Sequence, residues 1–92
     1  MITRFVKLTI AKEMIDKFTS IYTENGHKIQ NFAGCKYLEI LKDIHDQRVF
    51  FTVSKWESEE HLNTYRNSDL FKGVWQSFKP LFAAQAQAWT LG

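Results

Sequence analysis

The sequence predicts an α+β fold of the ferredoxin-like kind: a split βαβ arrangement with one four-stranded antiparallel sheet and its helices on one face. Segments of two-residue and 3.6-residue apolar period follow one another in the order strand, helix, strand, strand, helix pair, strand. A polar loop, Lys42 to Gln47, joins the second and third strands as a hairpin. The third strand is apolar on both faces, which a sheet wetted on one side does not require.

Each element has its own signal. Ile2 to Ile10 alternates, with Ile2, Val6, Leu8 and Ile10 on one face and Phe5 on the other among Thr3, Lys7 and Thr9. Arg4 falls on the otherwise apolar face. From Lys12 to Phe32, residues Met14, Ile15, Phe18, Ile21, Tyr22, Ile29 and Phe32 recur at spacings of three and four, the stripe of one helix, with a possible bend at Asn25-Gly26. Gly34 resets the chain direction, and Cys35 to Leu41 forms the second strand.

Arg48 to Trp56 is the third strand, with Phe50 and Trp56 on one face and Val49, Phe51 and Val53 on the other. Ser58 is an N-cap, and Glu59 and Glu60 sit where the helix dipole favours carboxylates. A short helix then passes through Leu62 and Tyr65. Asn67-Ser68-Asp69 starts another, whose stripe Leu70, Phe71, Val74, Trp75 and Phe78 ends at Pro80. Ala84 to Leu91 is the last strand, with Gln85, Gln87, Trp89 and Leu91 opposite Ala84, Ala86 and Ala88.

At 92 residues the chain has the length of one domain, and residues 1–92 are read as a single unit. Charges are interleaved and net only +2, so nucleic acid is not an expected partner. No apolar run approaches the length that spans a bilayer, and a soluble cytoplasmic protein is expected. The lone Cys35 cannot form an internal disulfide, which suits a reducing compartment. His27, His45 and His61 are far apart in sequence and form no ligand motif, so no metal is expected. Helices on one face leave the other face of the sheet, with Phe5 and half of the third strand, for a partner to cover. A second copy of the chain is the simplest cover.

Asn31-Phe32-Ala33-Gly34-Cys35, Trp56-Glu57-Ser58-Glu59-Glu60, and Ser68-Asp69-Leu70-Phe71-Lys72 ahead of Pro80-Leu81 resemble the antibiotic biosynthesis monooxygenase family over nearly the whole chain. The tryptophan before the Ser-Glu-Glu helix start is the most specific of these. Ala33 stands where the family commonly has proline, a change that affects turn stiffness more than chemistry. The resemblance implies a homodimeric α/β barrel of two packed sheets, with a ligand pocket between sheet and helices in each protomer. It also implies one of several activities: cofactor-independent oxygenation of phenols and quinols, haem degradation, or isomerisation of small phosphorylated ligands. The haem-degrading branch uses an asparagine, a tryptophan and an iron-binding histidine that fall on Val6, Tyr65 and Trp75. None is kept, and indole cannot ligate iron, so haem chemistry is disfavoured.

Cofactor-free oxygenation of a phenol or enol requires an apolar pocket, a proton acceptor and a group that holds the substrate anion. The candidate catalytic residues are Arg4 as the anion holder, His61 as the base and Tyr65 as a polar pocket group. Val6, Phe71, Trp75 and Phe78 are the candidate pocket walls, with no cofactor and a small aromatic or apolar ligand expected. The competing readings are plain. Phe71, Trp75 and Phe78 at helical spacing also make ordinary core, Arg4 can reach the rim to pair with a carboxylate, and a histidine in a first helical turn is commonly solvated. Cys35 reads as a small buried residue, and Asn63 and Asn67 as helix-end groups. The rival function is a non-catalytic dimeric ligand-binding or stress-response module.

Overall fold

The computed structural model describes residues 1–92. Strand β1 (Ile2–Thr9) leads through a 3-10 turn at Lys12–Met14 into helix α1 (Ile15–Gln30). Strands β2 (Cys35–Lys42) and β3 (Val49–Trp56) form the hairpin. Helices α2 (Glu59–Arg66) and α3 (Asp69–Phe78), a second 3-10 turn at Lys79–Leu81 and strand β4 (Gln87–Leu91) complete the chain. The sheet order is β2-β3-β1-β4 with every neighbour antiparallel, which is the predicted ferredoxin-like topology.

Register fixes the two faces. Arg4 pairs with Ser54, Val6 with Thr52 and Leu8 with Phe50, so these residues point toward the helices. Phe5 lies between Val53 on β3 and Trp89 on β4, on the opposite face. The core sits toward one end of the helix-covered face, where Leu8, Ile10, Phe18, Phe50, Val74, Phe78 and Leu81 are buried together. Phe18 projects from α1 with its ring centroid 4.8 Å from both Phe50 and Phe78, joining helix, sheet and α3 in one aromatic contact.

Several boundaries differ from expectation. Helix α1 runs unbroken through Asn25-Gly26. The Asn25 amide donates back to the Ile21 carbonyl at 2.8 Å, and the Tyr22 ring packs 3.6 Å from where a Gly26 Cβ would stand. Pro80 does not end the last helical segment outright but sits inside the 3-10 turn, because a proline lacking N–H is tolerated in a first turn. Strand β4 begins at Gln87, not Ala84. Beyond Lys7 its pairing with β1 is replaced by an Ala83 N–H to Thr9 carbonyl bond and an Ile10–Phe82 bridge, which leave the intervening residues off the ladder. Strand β2 carries a bulge at Lys36, since Cys35 opposes Trp56 while Tyr37 opposes Lys55.

Gly34, which turns the chain into β2, has φ 88° in the left-handed region, and a Cβ there would lie 2.5 Å from His61 ring atoms. Gly73 in α3 has open space around it. Opposite effects are expected in urea denaturation: Gly34→Ala destabilises by about 1–3 kcal/mol through backbone strain and the collision with His61. Gly73→Ala stabilises by about 0.5–1 kcal/mol through helix propensity.

Candidate functional site

Side chains on the helix-facing side of the sheet change in size along its length. Near the core they are Leu8, Ile10 and Phe50, and they fill the space under the helices. Farther along they are Val6, Thr52 and Ser54, joined by Ala88 opposite Val6 and by Ala86. These shorter groups leave a cavity of about 350 Å3 between sheet and helices. That volume is at the small end of ligand pockets.

The cavity is mostly apolar, with fourteen of its eighteen lining residues hydrophobic. The other four are Arg4, Thr52, Ser54 and Arg66. One wall is a run of aromatic rings. Tyr65 stacks on Trp56 at 4.8 Å and meets Phe71 edge-on at 5.3 Å; Phe71 in turn stacks on Trp75 at 5.8 Å and 10°. The run exists because Ser68 caps α3, accepting from the Phe71 N–H at 3.1 Å while its hydroxyl donates to the Tyr65 carbonyl at 2.6 Å. This double bond of one serine sets the angle between α2 and α3 and so places Tyr65 beside Phe71.

Six of the seven expected residues meet here. Arg4, Val6, Tyr65, Phe71, Trp75 and Phe78 all line the cavity. Phe78 also belongs to the buried core, so for this residue the pocket and core readings hold together. Arg4 does not pair with a carboxylate: its Nη1 donates to the hydroxyl of Thr90 on β4 at 2.8 Å. Burial, and then the nearby charge of Arg66, lower its pKa, yet a guanidinium remains charged across the working pH range.

The structure does not bring His61 to the cavity. Its backbone N–H donates to the Ser58 cap at 3.2 Å, its Nδ1 lies 2.7 Å from the same Ser58 oxygen, and its ring covers Gly34. It closes the start of α2 instead. The Asn67 amide donates to the Asn63 carbonyl at 2.8 Å, a helix-end bond as expected. Cys35 is half-buried, and burial pushes its thiol pKa up, away from the nucleophilic thiolate. No group of three or more His, Cys, Asp or Glu side chains is placed to hold a metal.

Sequence reasoning missed Tyr22, Thr52, Ser54, Trp56 and Arg66 as lining residues. Thr52 and Ser54 were open to inference as the only polar residues on the inward register of β3, between Phe50 and Trp56. Ser54 accepts from the Trp56 indole N–H at 2.9 Å. No buried side-chain nitrogen or oxygen lacks a partner, so the phenol oxygens of Tyr22 and Tyr65, which bond to no group of the chain, reach open space. Burial drives the Tyr65 pKa well above its usual value, with smaller contributions from Cys35 and Tyr22, and Tyr22 is raised chiefly by burial too. Both phenols are therefore donors at neutral pH.

The profile of the antibiotic biosynthesis monooxygenase family matches residues 1–76. The chain belongs to that family. Solved structures support the fold at low identity. An antibiotic biosynthesis monooxygenase is superposable with a TM-score of 0.94 at 16% identity, covering 100% of this chain and 97% of the other. A conserved protein of Methanosarcina mazei gives 0.91 at 15%, covering 98% and 90%. A Pseudomonas aeruginosa protein gives 0.86 at 18%, again covering 98% and 90%. No curated protein matches the chain. Membership of the family points to a small-molecule binding role of monooxygenase type. No helix is long and apolar enough to cross a membrane.

The raised Tyr65 pKa has a definite sign in stability. The neutral phenol is favoured in the folded state, so this contribution is complete below about pH 10, the unfolded value, and is lost as pH rises toward the higher folded value. Urea denaturation between neutral and strongly alkaline pH is expected to show falling stability above about pH 10, with a shallower fall in Tyr65→Phe.

Proposed function

We propose that the protein is a cofactor-independent monooxygenase that oxidises a small phenol, quinol or polycyclic aromatic relative with O2, as a homodimer in the cytoplasm. The observation that carries this reading is a mostly apolar cavity with the Arg4 guanidinium on its wall, in a chain of this family. The titratable residues around the cavity are Arg4, Tyr22, Tyr65 and Arg66, none a base at neutral pH. The proton of the bound hydroxyl therefore passes to water, and positive charge in a low-dielectric site makes that ionisation easier. Arg4 holds the resulting oxyanion, and the neutral Tyr65 hydroxyl is free to donate to the ligand.

The anion gives one electron to O2, superoxide joins the substrate radical at a ring carbon, and the peroxide anion so formed takes back a proton from water to give a hydroperoxide. Loss of water leaves a new carbonyl. A phenol plus O2 thus becomes a quinone plus water, with one oxygen atom retained and the other released. The aromatic wall of Tyr65, Phe71 and Trp75 suits a flat ring and limits water at the reacting carbon.

The homodimer is supported by the face of the sheet that no helix covers. Tyr37, Leu41, Trp89 and Leu91 there are 40%, 48%, 45% and 47% exposed, and they surround Phe5, Phe51 and Val53. Burying each large apolar side chain is worth about 1.5–3 kcal/mol, enough in sum to hold two copies face to face. Sedimentation is expected to give the dimer mass for the wild type and the monomer mass for Phe51→Glu.

Oxygen consumption measured across phenols, quinols and anthrone-like compounds tests the activity. Uptake above the spontaneous rate is expected for at least one compound, and Arg4→Gln should lower kcat/KM about a hundredfold. The lack of a neutral-pH base around the cavity favours one rival, a non-catalytic dimeric binding module. Saturable binding with no oxygen uptake across the panel would establish that rival and end the oxygenase reading.

A further inference from the structure

Two positive charges on the cavity wall are left unneutralised by the chain. Its ion pairs are Lys36–Glu57, Arg48–Asp46 and the His61–Glu57 contact, and none involves Arg4 or Arg66. The lining contains no Asp, Glu or His, and the one side-chain bond of Arg4 goes to a neutral hydroxyl, that of Thr90. A cation in the last turn of α2 is favoured by the helix dipole, which accounts for a basic residue at position 66. It does not account for that residue sharing an apolar cavity with a second arginine that it repels. Arg4 is half-buried and Arg66 stands exposed at the rim, so the repulsion falls on Arg4, and an anion placed between the two reverses its sign. Guanidinium groups present planar, forked donors that match the oxygens of carboxylate and phosphate.

We infer that Arg4 and Arg66 form a paired-guanidinium site for a carboxylate or phosphate group carried by an aromatic ligand, whose ring lies against Tyr65, Phe71 and Trp75. This rests on the proposed function in taking the cavity as the substrate site, and it narrows the substrate from neutral phenols and quinols to aromatic acids. The donors of Arg4 that Thr90 does not use can serve the acid group and an adjacent ionised hydroxyl together, so a hydroxyl ortho to the acid group is favoured. Thr90, by holding Nη1 of Arg4, keeps that guanidinium at the cavity and acts as a positioning residue.

Isothermal titration of the wild-type protein with salicylate, phenyl phosphate and neutral salicylamide tests the inference without requiring turnover. At least one of the two anions is expected to bind about tenfold or more tightly than salicylamide, and the tighter one identifies the acid group. Arg66→Gln should remove most of that preference, and Arg66→Lys should restore part of it. Arg66 is exposed at a helix end, so both variants should keep the wild-type melting temperature. Equal affinity for anion and amide, binding of none of the three, or an anion preference that survives Arg66→Gln would each overturn the site. An acid preference without oxygen uptake would keep this site and remove the oxygenase. Oxygen uptake on neutral quinols without an acid preference would do the reverse.

Discussion

The distance between helices and sheet is set at one end by large residues and left unfilled at the other, and the rest of the molecule follows from that. Phe18 meets both Phe50 and Phe78 at 4.8 Å, and these rings hold α1 and α3 away from the strands. Trp56, fully buried at the far end of β3, packs against Phe32 and Tyr65. Between these supports the sheet side of the cavity is made largely of the small groups Val6, Thr52, Ser54 and Ala88, with Ala86 just ahead of β4. Protein interiors normally close to crystal-like density, so space kept open by rigid supports on both sides is a built feature of the fold.

Electrostatics and shape act on the same volume. The apolar walls lower the local dielectric, which strengthens any field from Arg4 and Arg66 and keeps the phenols of Tyr22 and Tyr65 protonated. The cavity thus combines positive charge and hydrogen-bond donors with no competing acceptor of negative charge. Under the proposed function, a ligand that becomes more anionic as it reacts would be stabilised by Arg4, Arg66 and the two phenols without a metal or a base.

Much of this was legible in the residues. The alternation of β1 placed Arg4 and Val6 on the helix side and Phe5 on the other, and the stripe of α3 placed Phe71, Trp75 and Phe78 inward. These patterns survive because period sets direction whatever the tertiary partners are. His61 was misplaced because position in a first helical turn does not say which way the ring leans. Here the Ser58 cap and the bare backbone of Gly34 draw it aside. The start of β4 was misread because alanine alternation continues past the point where β1 turns away to pair Ile10 with Phe82. Arg66 was invisible for a different reason. Its importance lies in the charge it does not find, and pairing is a property of three dimensions.

The bond between Arg4 and Thr90 ties the chemistry of the cavity to the outermost strand. Strand β4 is exposed along its whole length and joined to the sheet only through β1. Edge segments of this kind open locally at far lower free energy than the core that Phe18 anchors. Local opening of β4 would therefore free the guanidinium while the domain stayed folded, so the grip on any anion in the cavity is coupled to how firmly that edge strand is paired. A ligand gripped by Arg4 would in turn quiet the motion of that edge.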